Sequence, residues 1–189
     1  MSRGFGRAGW AWAAALFLFA QTASASWAGP AQPASLEYPV KATFLYKFAP
    51  FVTWPDSAYG SPNAPFSLCV LGEDPFGSLL DQATSGQRVG PHPIVVRRLQ
   101  KVDKGSGCQI LYLGASKGQA DTDAAAALKG TPVLTVSDSA TDPGLGVIQF
   151  VVQDNRVRFR IDNQAAAQAG LVISSKLLNL ALASPRRGT

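Results

Sequence analysis

The sequence predicts a single α/β domain: a mixed, mostly parallel sheet flanked by helices, with a C-terminal antiparallel hairpin and a terminal helix. Three observations lead to this prediction. Short apolar runs that end at glycine alternate with helix-like segments, as they do in parallel βα units. Residues 146–161 form two strand-like runs around a polar break, which is typical of a hairpin. The chain shows no internal repeat and no second domain boundary.

The first 25 residues have the features of a secretory signal peptide. Arg3 and Arg7 precede an apolar run at residues 8–20, which is short for a membrane span, and residues 23–25 form a small-x-small cleavage site. An uncleaved anchor is the alternative. Cleavage after residue 25 leaves 164 of the 189 residues and removes two arginines and no acid, so the net charge falls from +5 to +3. We therefore expect an exported soluble protein, and neither its charge nor its export favours nucleic acid as a partner.

The exported part begins with a lead-in and a helix. Residues 26–36 are small and proline-containing, which indicates a disordered lead-in to a domain at 37–183 that is followed by a tail at 184–189. Apolar residues recur at helical spacing from residue 37 onward, and Pro50 is expected to end or kink that helix near Ala49. By their spacing, the aromatic residues of this stretch belong mostly to the core, and they are Phe44, Phe48, Phe51 and Trp54.

Four apolar strands alternate with helices in the middle of the chain. The strands are predicted at 66–71, 93–99, 108–113 and 131–136, and the helices at 76–83 and 119–129. Only residues 100–107 separate the second and third strands, which is too short for a crossover helix, so we expect a loop to cross the sheet. The predicted strand order is 2-1-3-4-hairpin, in which the first and third strands are neighbours.

Cys69 and Cys108 lie on these two neighbouring strands. An even number of cysteines in an oxidising compartment usually means a disulfide, and adjacent strands about 5 Å apart meet the Cα distance that the bond requires. Two buried free thiols are the alternative. The single histidine, His92, lies between two prolines and is interpreted as a solvated loop residue, so the sequence offers no set of metal ligands and predicts no cofactor.

The hairpin has two chemically different faces in its second strand. Val157, Phe159 and Ile161 alternate with three basic residues, which are Arg156, Arg158 and Arg160. One interpretation is an exposed face that discourages edge pairing. The other is a docking surface for an acidic partner or a small anion, and both remain open.

A last helix is predicted after the hairpin. Leu177, Leu178 and Leu182, with Ala181, fall at helical spacing there.

The sequence offers no catalytic set. The loop at 72–77 follows a strand, but it lacks the G-x-G-x-x-G spacing, and the acidic pair Glu73-Asp74 would repel phosphate, so a helix cap is favoured over a nucleotide site. Residues 137–139, Ser-Asp-Ser, have no accompanying base and are interpreted as a turn. A phosphoacceptor receiver domain is discarded, because Gly114 occupies the place of the required aspartate.

Four blocks of sequence, taken together and in order, resemble the YfiR family. The blocks are Lys41-Ala42-x-Phe44-Leu45-Tyr46-x-Phe48-x-x-Phe51-x-x-Trp54-Pro55, Leu68-Cys69-Val70-Leu71-Gly72-x-Asp74-Pro75-Phe76-Gly77, Gly107-Cys108-x-Ile110-Leu111-Tyr112-Leu113, and Gly170-Leu171-x-Ile173-Ser174-Ser175-x-Leu177-Leu178-x-Leu180-Ala181. The resemblance extends from about Lys41 to Ala181.

The resemblance implies a small, non-catalytic periplasmic regulator. Such a protein binds and represses the periplasmic sensor domain of an inner-membrane diguanylate cyclase of the YfiN type, which lowers cyclic di-GMP signalling and biofilm formation. An outer-membrane lipoprotein of the YfiB type can sequester the repressor. The best-understood member carries a second disulfide that has no counterpart here. Three alternatives remain open: a periplasmic small-ligand binding protein that acts with another membrane sensor, a homodimer, and an enzyme.

Overall fold

The computed structural model describes residues 36–138 and 145–183. Its helices and strands, in chain order, are α1 (Glu37–Phe48), β1 (Val52–Thr53), β2 (Phe66–Gly72), α2 (Ser78–Thr84), β3 (Arg88–Val89), β4 (His92–Leu99), β5 (Ile110–Gly114), α3 (Asp121–Ala127), β6 (Leu134–Asp138), β7 (Ile148–Gln153), β8 (Arg156–Ile161), α4 (Asn163–Gln168), β9 (Val172–Ile173) and α5 (Ser175–Leu178). Within those residues, no helix has both the length and the apolar character needed to cross a membrane.

Seven strands form one mixed sheet in the order β3-β4-β2-β5-β6-β7-β8. The neighbouring strands from β4 to β7 are parallel, whereas β7 and β8 form the antiparallel hairpin. This arrangement confirms the predicted fold class and the predicted order 2-1-3-4-hairpin. As expected, a loop and not a helix connects β4 to β5 across β2. The short strand β3, which pairs with β4, was not predicted.

The central strands are buried on both faces, which explains their continuous apolar sequence. In β2, Leu68 and Val70 belong to the larger core cluster, whereas Cys69 and Leu71 belong to a smaller cluster on the opposite face. The larger cluster includes residues of α1, α2 and α4. The smaller one includes residues of α3 and Val102 from the β4–β5 loop. Helices therefore lie on both faces, and the hairpin forms one lateral end of the sheet.

Proline and hydrogen bonding set the ends of two helices. Helix α1 ends at Phe48 and continues as a 3-10 turn that contains Pro50, as the sequence predicts. The last helix was predicted too long: α5 ends at Leu178. Leu182 instead lies beside β8, where its N–H donates to the carbonyl of Phe159 at 2.8 Å. This hydrogen bond satisfies a backbone carbonyl at the edge of the sheet, and it decides the conformation of Leu182 in spite of the helical spacing of the leucines.

The structure leaves the predicted chain termini untested. The signal peptide at 1–25, residues 26–35 of the lead-in, and the tail at 184–189 lie outside the described residues. Leu36, which was assigned to the lead-in, is the N-cap residue of α1.

Glycine is required where the carboxyl ends of β2 and β5 meet. Glu73 N–H donates to the Gly114 carbonyl at 2.7 Å. A Cβ atom at Gly114 would lie 2.2 Å from the Glu73 oxygen and 2.7 Å from the Leu71 oxygen. Both contacts are with backbone atoms, so neither can be relieved by a rotamer change. The backbones of β2 and β5 are therefore too close at this point to admit a side chain at residue 114.

We expect Gly114→Ala to lower the free energy of unfolding by about 1–3 kcal/mol, because the strands must separate to admit the methyl group. Urea denaturation measures this loss. Gly60→Ala is the matched control, since its Cβ would have no atom within 4 Å. The control is expected to stay within about 0.5 kcal/mol of the wild type. Equal unfolding midpoints for the two variants would contradict the prediction.

Candidate functional site

The three arginines lie on β8, and a two-residue turn positions them. Asp154 and Asn155 adopt φ values of 51° and 59°, the left-handed conformation that a tight hairpin turn requires. The turn sets a register in which Arg156 lies opposite Gln153, Arg158 opposite Val151 and Arg160 opposite Gln149.

The opposite face of the hairpin anchors it to the core. Phe159 is 4% exposed. Its ring lies 5.1 Å from the Phe48 ring and 5.6 Å from the Phe44 ring, both on α1. Because side chains alternate along a strand, packing Phe159 inward directs the arginines to the other face. Arg156 and Arg158 are exposed there, and Arg160 is half-buried.

The arginine face has no acidic counterpart. In the part of the chain that the structure describes, none of the three guanidinium groups forms an ion pair. Their cross-strand neighbours are Gln149, Val151 and Gln153, which are all neutral. The result is a row of three positive charges spaced two residues apart on the last strand of the sheet.

Arg98 shows how the same fold neutralises an arginine that has a structural role. Its Nε lies 2.7 Å from the Asp74 carboxylate and its Nη2 lies 2.6 Å from the Asp81 carboxylate. These hydrogen bonds raise the pKa of Arg98 above its ordinary value. The hydrogen bond from Arg98 lowers the pKa of Asp81. Arg98 thereby fastens α2 to β4, whereas the hairpin arginines form no such ion pair among the residues that the structure describes.

Arg160 is the least satisfied of the three arginines. Its Nε is buried and has no hydrogen-bond partner among the described residues. A buried N–H of a charged group without an acceptor costs free energy. The Nε of Arg160 therefore lacks the acceptor that buried donors normally have in a folded protein.

A second charged cluster, which the sequence analysis missed, is buried where α1 begins. Lys41 is 0% exposed, and its ammonium donates to the carboxylates of Glu37 and Asp138. Burial lowers the pKa of Lys41, but the hydrogen bonds to Asp138 and Glu37 outweigh it, and the pKa is raised overall. The signal was present in the sequence, because residue 41 shares the buried helical face of Leu45 and Phe48.

Aromatic rings surround this Lys41 cluster. The Lys41 Nζ lies 5.4 Å from the centre of the Tyr38 ring and 5.9 Å from that of Phe150. Burial raises the pKa of Tyr112, and the negative charge of Asp138 adds to the effect. Lys41 is fully buried and the Asp138 side chain is 7% exposed, whereas Glu37 is 32% exposed, so the cluster ties α1 to the end of β6 from a largely buried position.

Cys69 and Cys108 form a disulfide, with their Cα atoms 5.9 Å apart. Cys69 lies in β2, and Cys108 lies two residues before β5 begins. Both side chains are buried, at 0% and 5% exposure. The bond therefore staples the two central strands inside the smaller core cluster.

The loop after β2 acts as a cap. The Asp74 carboxylate accepts hydrogen bonds from the N–H groups of Phe76 at 2.8 Å and Gly77 at 3.1 Å, just before α2. The carboxyl ends of β2 and β5, where doubly wound sheets bind their ligands, are closed by the Glu73–Gly114 contact. This geometry favours the helix-cap interpretation of the loop.

Two smaller interpretations were wrong. His92 is not a solvated loop residue: it begins β4, is 8% exposed, and stacks on Tyr59 with ring centres 4.2 Å apart. Its Nδ1 lies 2.6 Å from the carbonyl oxygen of Ala64. Ser137 and Asp138 do not form a turn, because they are buried residues of β6. Ser139 lies outside the described residues.

Two of the clefts among the described residues lie away from the arginines. One cleft of about 90 Å³ lies beside Cys108, and another of about 250 Å³ lies between Lys129 and Gln168. No arginine lines either cleft. Among the described residues, no group of three or more His, Cys, Asp or Glu side chains could hold a metal ion.

Comparison with known families gives a match over almost all of the described chain. The model of the YfiR/HmsC-like family matches residues 38–182, which is more than half of the sequence. The match begins at the second residue of α1 and includes both cysteines and the whole hairpin.

Proposed function

The chain belongs to the YfiR/HmsC-like family, a family of periplasmic regulators of cyclic di-GMP signalling, and from this premise we propose that it is a non-catalytic repressor. It binds the periplasmic sensor domain of an inner-membrane diguanylate cyclase of the YfiN type and holds that cyclase in its inactive state. The family match over residues 38–182 is the observation that carries this proposal. A YfiB-type outer-membrane lipoprotein that sequesters the repressor would release the cyclase.

The mechanism is a preference for one conformation of the partner. A bound protein shifts the equilibrium of a sensor only if it binds the inactive state more tightly than the active one. The docking surface proposed for this contact is the arginine face of β8, Arg156, Arg158 and Arg160. In the described residues these arginines have no ion-pair partner within the chain.

Deletion of the gene is expected to raise cellular cyclic di-GMP and biofilm formation, because the cyclase is no longer restrained. Mass-spectrometric quantification of cyclic di-GMP in deletion and complemented strains checks this expectation. A strain that also lacks the cyclase is the control, and in it the deletion should have no effect. Unchanged cyclic di-GMP in a strain that expresses the cyclase would refute the proposal.

A further inference from the structure

Strand β8 has an outer edge that is only partly covered by the described part of the chain. At one end, Leu182 pairs with Arg160 in parallel, and Leu182 N–H donates to the Phe159 carbonyl at 2.8 Å. Backbone groups of every second residue point to the same side of a strand. The N–H and C=O of Val157 therefore point to the outer side as well, and no described residue pairs with them there.

The open part of this edge carries the arginines. Arg156 and Arg158 flank Val157 and project from one face, about 7 Å apart at the rise of an extended strand. Arg160 follows at the same spacing, with its buried and unsatisfied Nε. An added strand would bring its own alternate side chains to about 5 Å from these positions, measured between Cβ atoms.

The other face of the same edge is apolar. Val152 is 48% exposed although it lies directly opposite Val157, which is half-buried. The open edge is thus basic on one face and aliphatic on the other. An extended segment with alternating acidic and apolar residues would match both faces at once.

We propose that β8 binds, by strand addition, an extended acidic segment of a protein partner. Carboxylates at every second position of that segment pair with Arg156 and Arg158, and the one opposite Arg158 is within diagonal reach of Arg160. The intervening apolar side chains cover Val157 and Val152, and the backbone pairs with the open N–H and C=O of Val157. This inference rests on the proposed function, for which it describes the chemistry of the partner.

The backbone and the valines favour a peptide over other anions. Free phosphate or an anionic lipid headgroup would neutralise a guanidinium group. Either would leave the Val157 backbone groups unpaired and Val152 exposed. Only an extended chain accounts for the arginine spacing, the open edge and the exposed valine together.

The test uses the full chain, purified as the cell processes it, and a fluorescent heptapeptide that alternates glutamate and valine. Fluorescence anisotropy measures its affinity. A control peptide has the same composition, with the glutamates in one block. We expect the alternating peptide to bind at least about tenfold more tightly than the block peptide, since only it places carboxylates at strand spacing on one face.

Two variants test the charged and the backbone parts of the contact, and a third is a control. Arg158→Glu is expected to weaken binding at least about tenfold by reversing one charge. Val157→Pro removes the outward N–H and leaves the β7 ladder intact, because proline is tolerated on an edge strand, and it should also weaken binding. Lys117→Glu is the matched charge-reversal control, since the Lys117 side chain is 92% exposed on the loop after β5, three strands from β8 in the sheet, and it should bind as the wild type does. Thermal unfolding verifies that each variant is folded.

Equal binding of the alternating and block peptides would overturn the inference. So would full competition by inorganic phosphate or by phosphatidylglycerol vesicles, or wild-type affinity in folded Arg158→Glu. The cellular level of cyclic di-GMP distinguishes failure of this inference from failure of the proposed function. If expression of Arg158→Glu in the deletion strain restores repression fully, the inference fails and the proposed function stands. If the deletion itself changes nothing, the proposed function fails. Loss of both peptide binding and repression in Arg158→Glu supports the inference.

Discussion

Reduction of the Cys69–Cys108 disulfide is expected to lower the free energy of unfolding by about 4 kcal/mol. The two cysteines are 39 residues apart in sequence. A cross-link that closes a loop of this length removes about that much conformational freedom from the unfolded chain, in the loop-entropy description. In the folded protein the bond joins β2 to the residue two before β5. The loss should shift the thermal midpoint by about 10 °C.

The burial of both cysteines determines how the disulfide must be reduced for this measurement. Because the cysteines are 0% and 5% exposed, a reductant reaches them only when the domain opens. The protein is therefore reduced in denaturant, refolded with the reductant present, and unfolded in urea beside the oxidised form. The Cys69→Ala/Cys108→Ala double variant is the control, and its midpoint should not respond to reductant. An unchanged wild-type midpoint, with both thiols shown to be free by alkylation, would rule out a stabilising role for the bond.

The sheet could be predicted because its strands are apolar on both faces and their connections obey simple rules. Residues 66–71 and 108–113 form runs that only a buried strand accommodates, and residues 100–107 are too short for a crossover helix. Those constraints left few strand orders, and the neighbouring positions of the two cysteines agreed with one of them. The hairpin followed from strict alternation around a polar break, since an antiparallel strand at a sheet end needs only one apolar face.

The short elements could not be predicted, because they have too few residues to show a period. Strands β1 and β9 have two residues each and pair through Val52 with Ile173. They are stabilised by contacts between segments more than a hundred residues apart in sequence, which local patterning cannot reveal. The overextended last helix has the same cause: Leu182 fits a helical spacing, but the open edge of β8 supplies it with a hydrogen bond.

The candidate site was predicted in outline only. Alternation placed Arg156, Arg158 and Arg160 on one face, and the structure adds two facts about them: their cross-strand neighbours in β7 are neutral, and the Nε of Arg160 is buried. His92 was assigned to the surface, and the Lys41 cluster was missed, for one reason. Polar side chains are normally assigned to the surface, and both are buried here because partners distant in sequence, Ala64 and Asp138, satisfy them.

Replacement of Lys41 by methionine is expected to destabilise the fold by about 3–5 kcal/mol, the usual cost of removing one member of a buried ion pair. Methionine fills a similar volume, so the loss reports charge and not a cavity. The Asp138 side chain is only 7% exposed, and its carboxylate would stay buried without the ammonium group. Urea unfolding gives the loss. The Lys41→Met/Asp138→Asn double variant should be more stable than the sum of the single losses predicts, by about 0.5–3 kcal/mol.

The pH dependence identifies the titrating group. The hydrogen bonds that Lys41 donates to Asp138 and Glu37 raise its folded-state pKa above the ordinary value of 10.5 in spite of burial, so the folded protein holds this proton more tightly than the unfolded chain does. Its contribution is fully present below pH 10.5 and is lost as pH rises through the folded pKa. Lys41→Met should therefore lose stability less steeply than the wild type in that alkaline window. Both proteins carry Tyr112→Phe for this comparison, so that the buried phenol does not titrate. If the stabilities of the two proteins fall in parallel as the pH rises, the titration of Lys41 does not contribute to the pH dependence of folding.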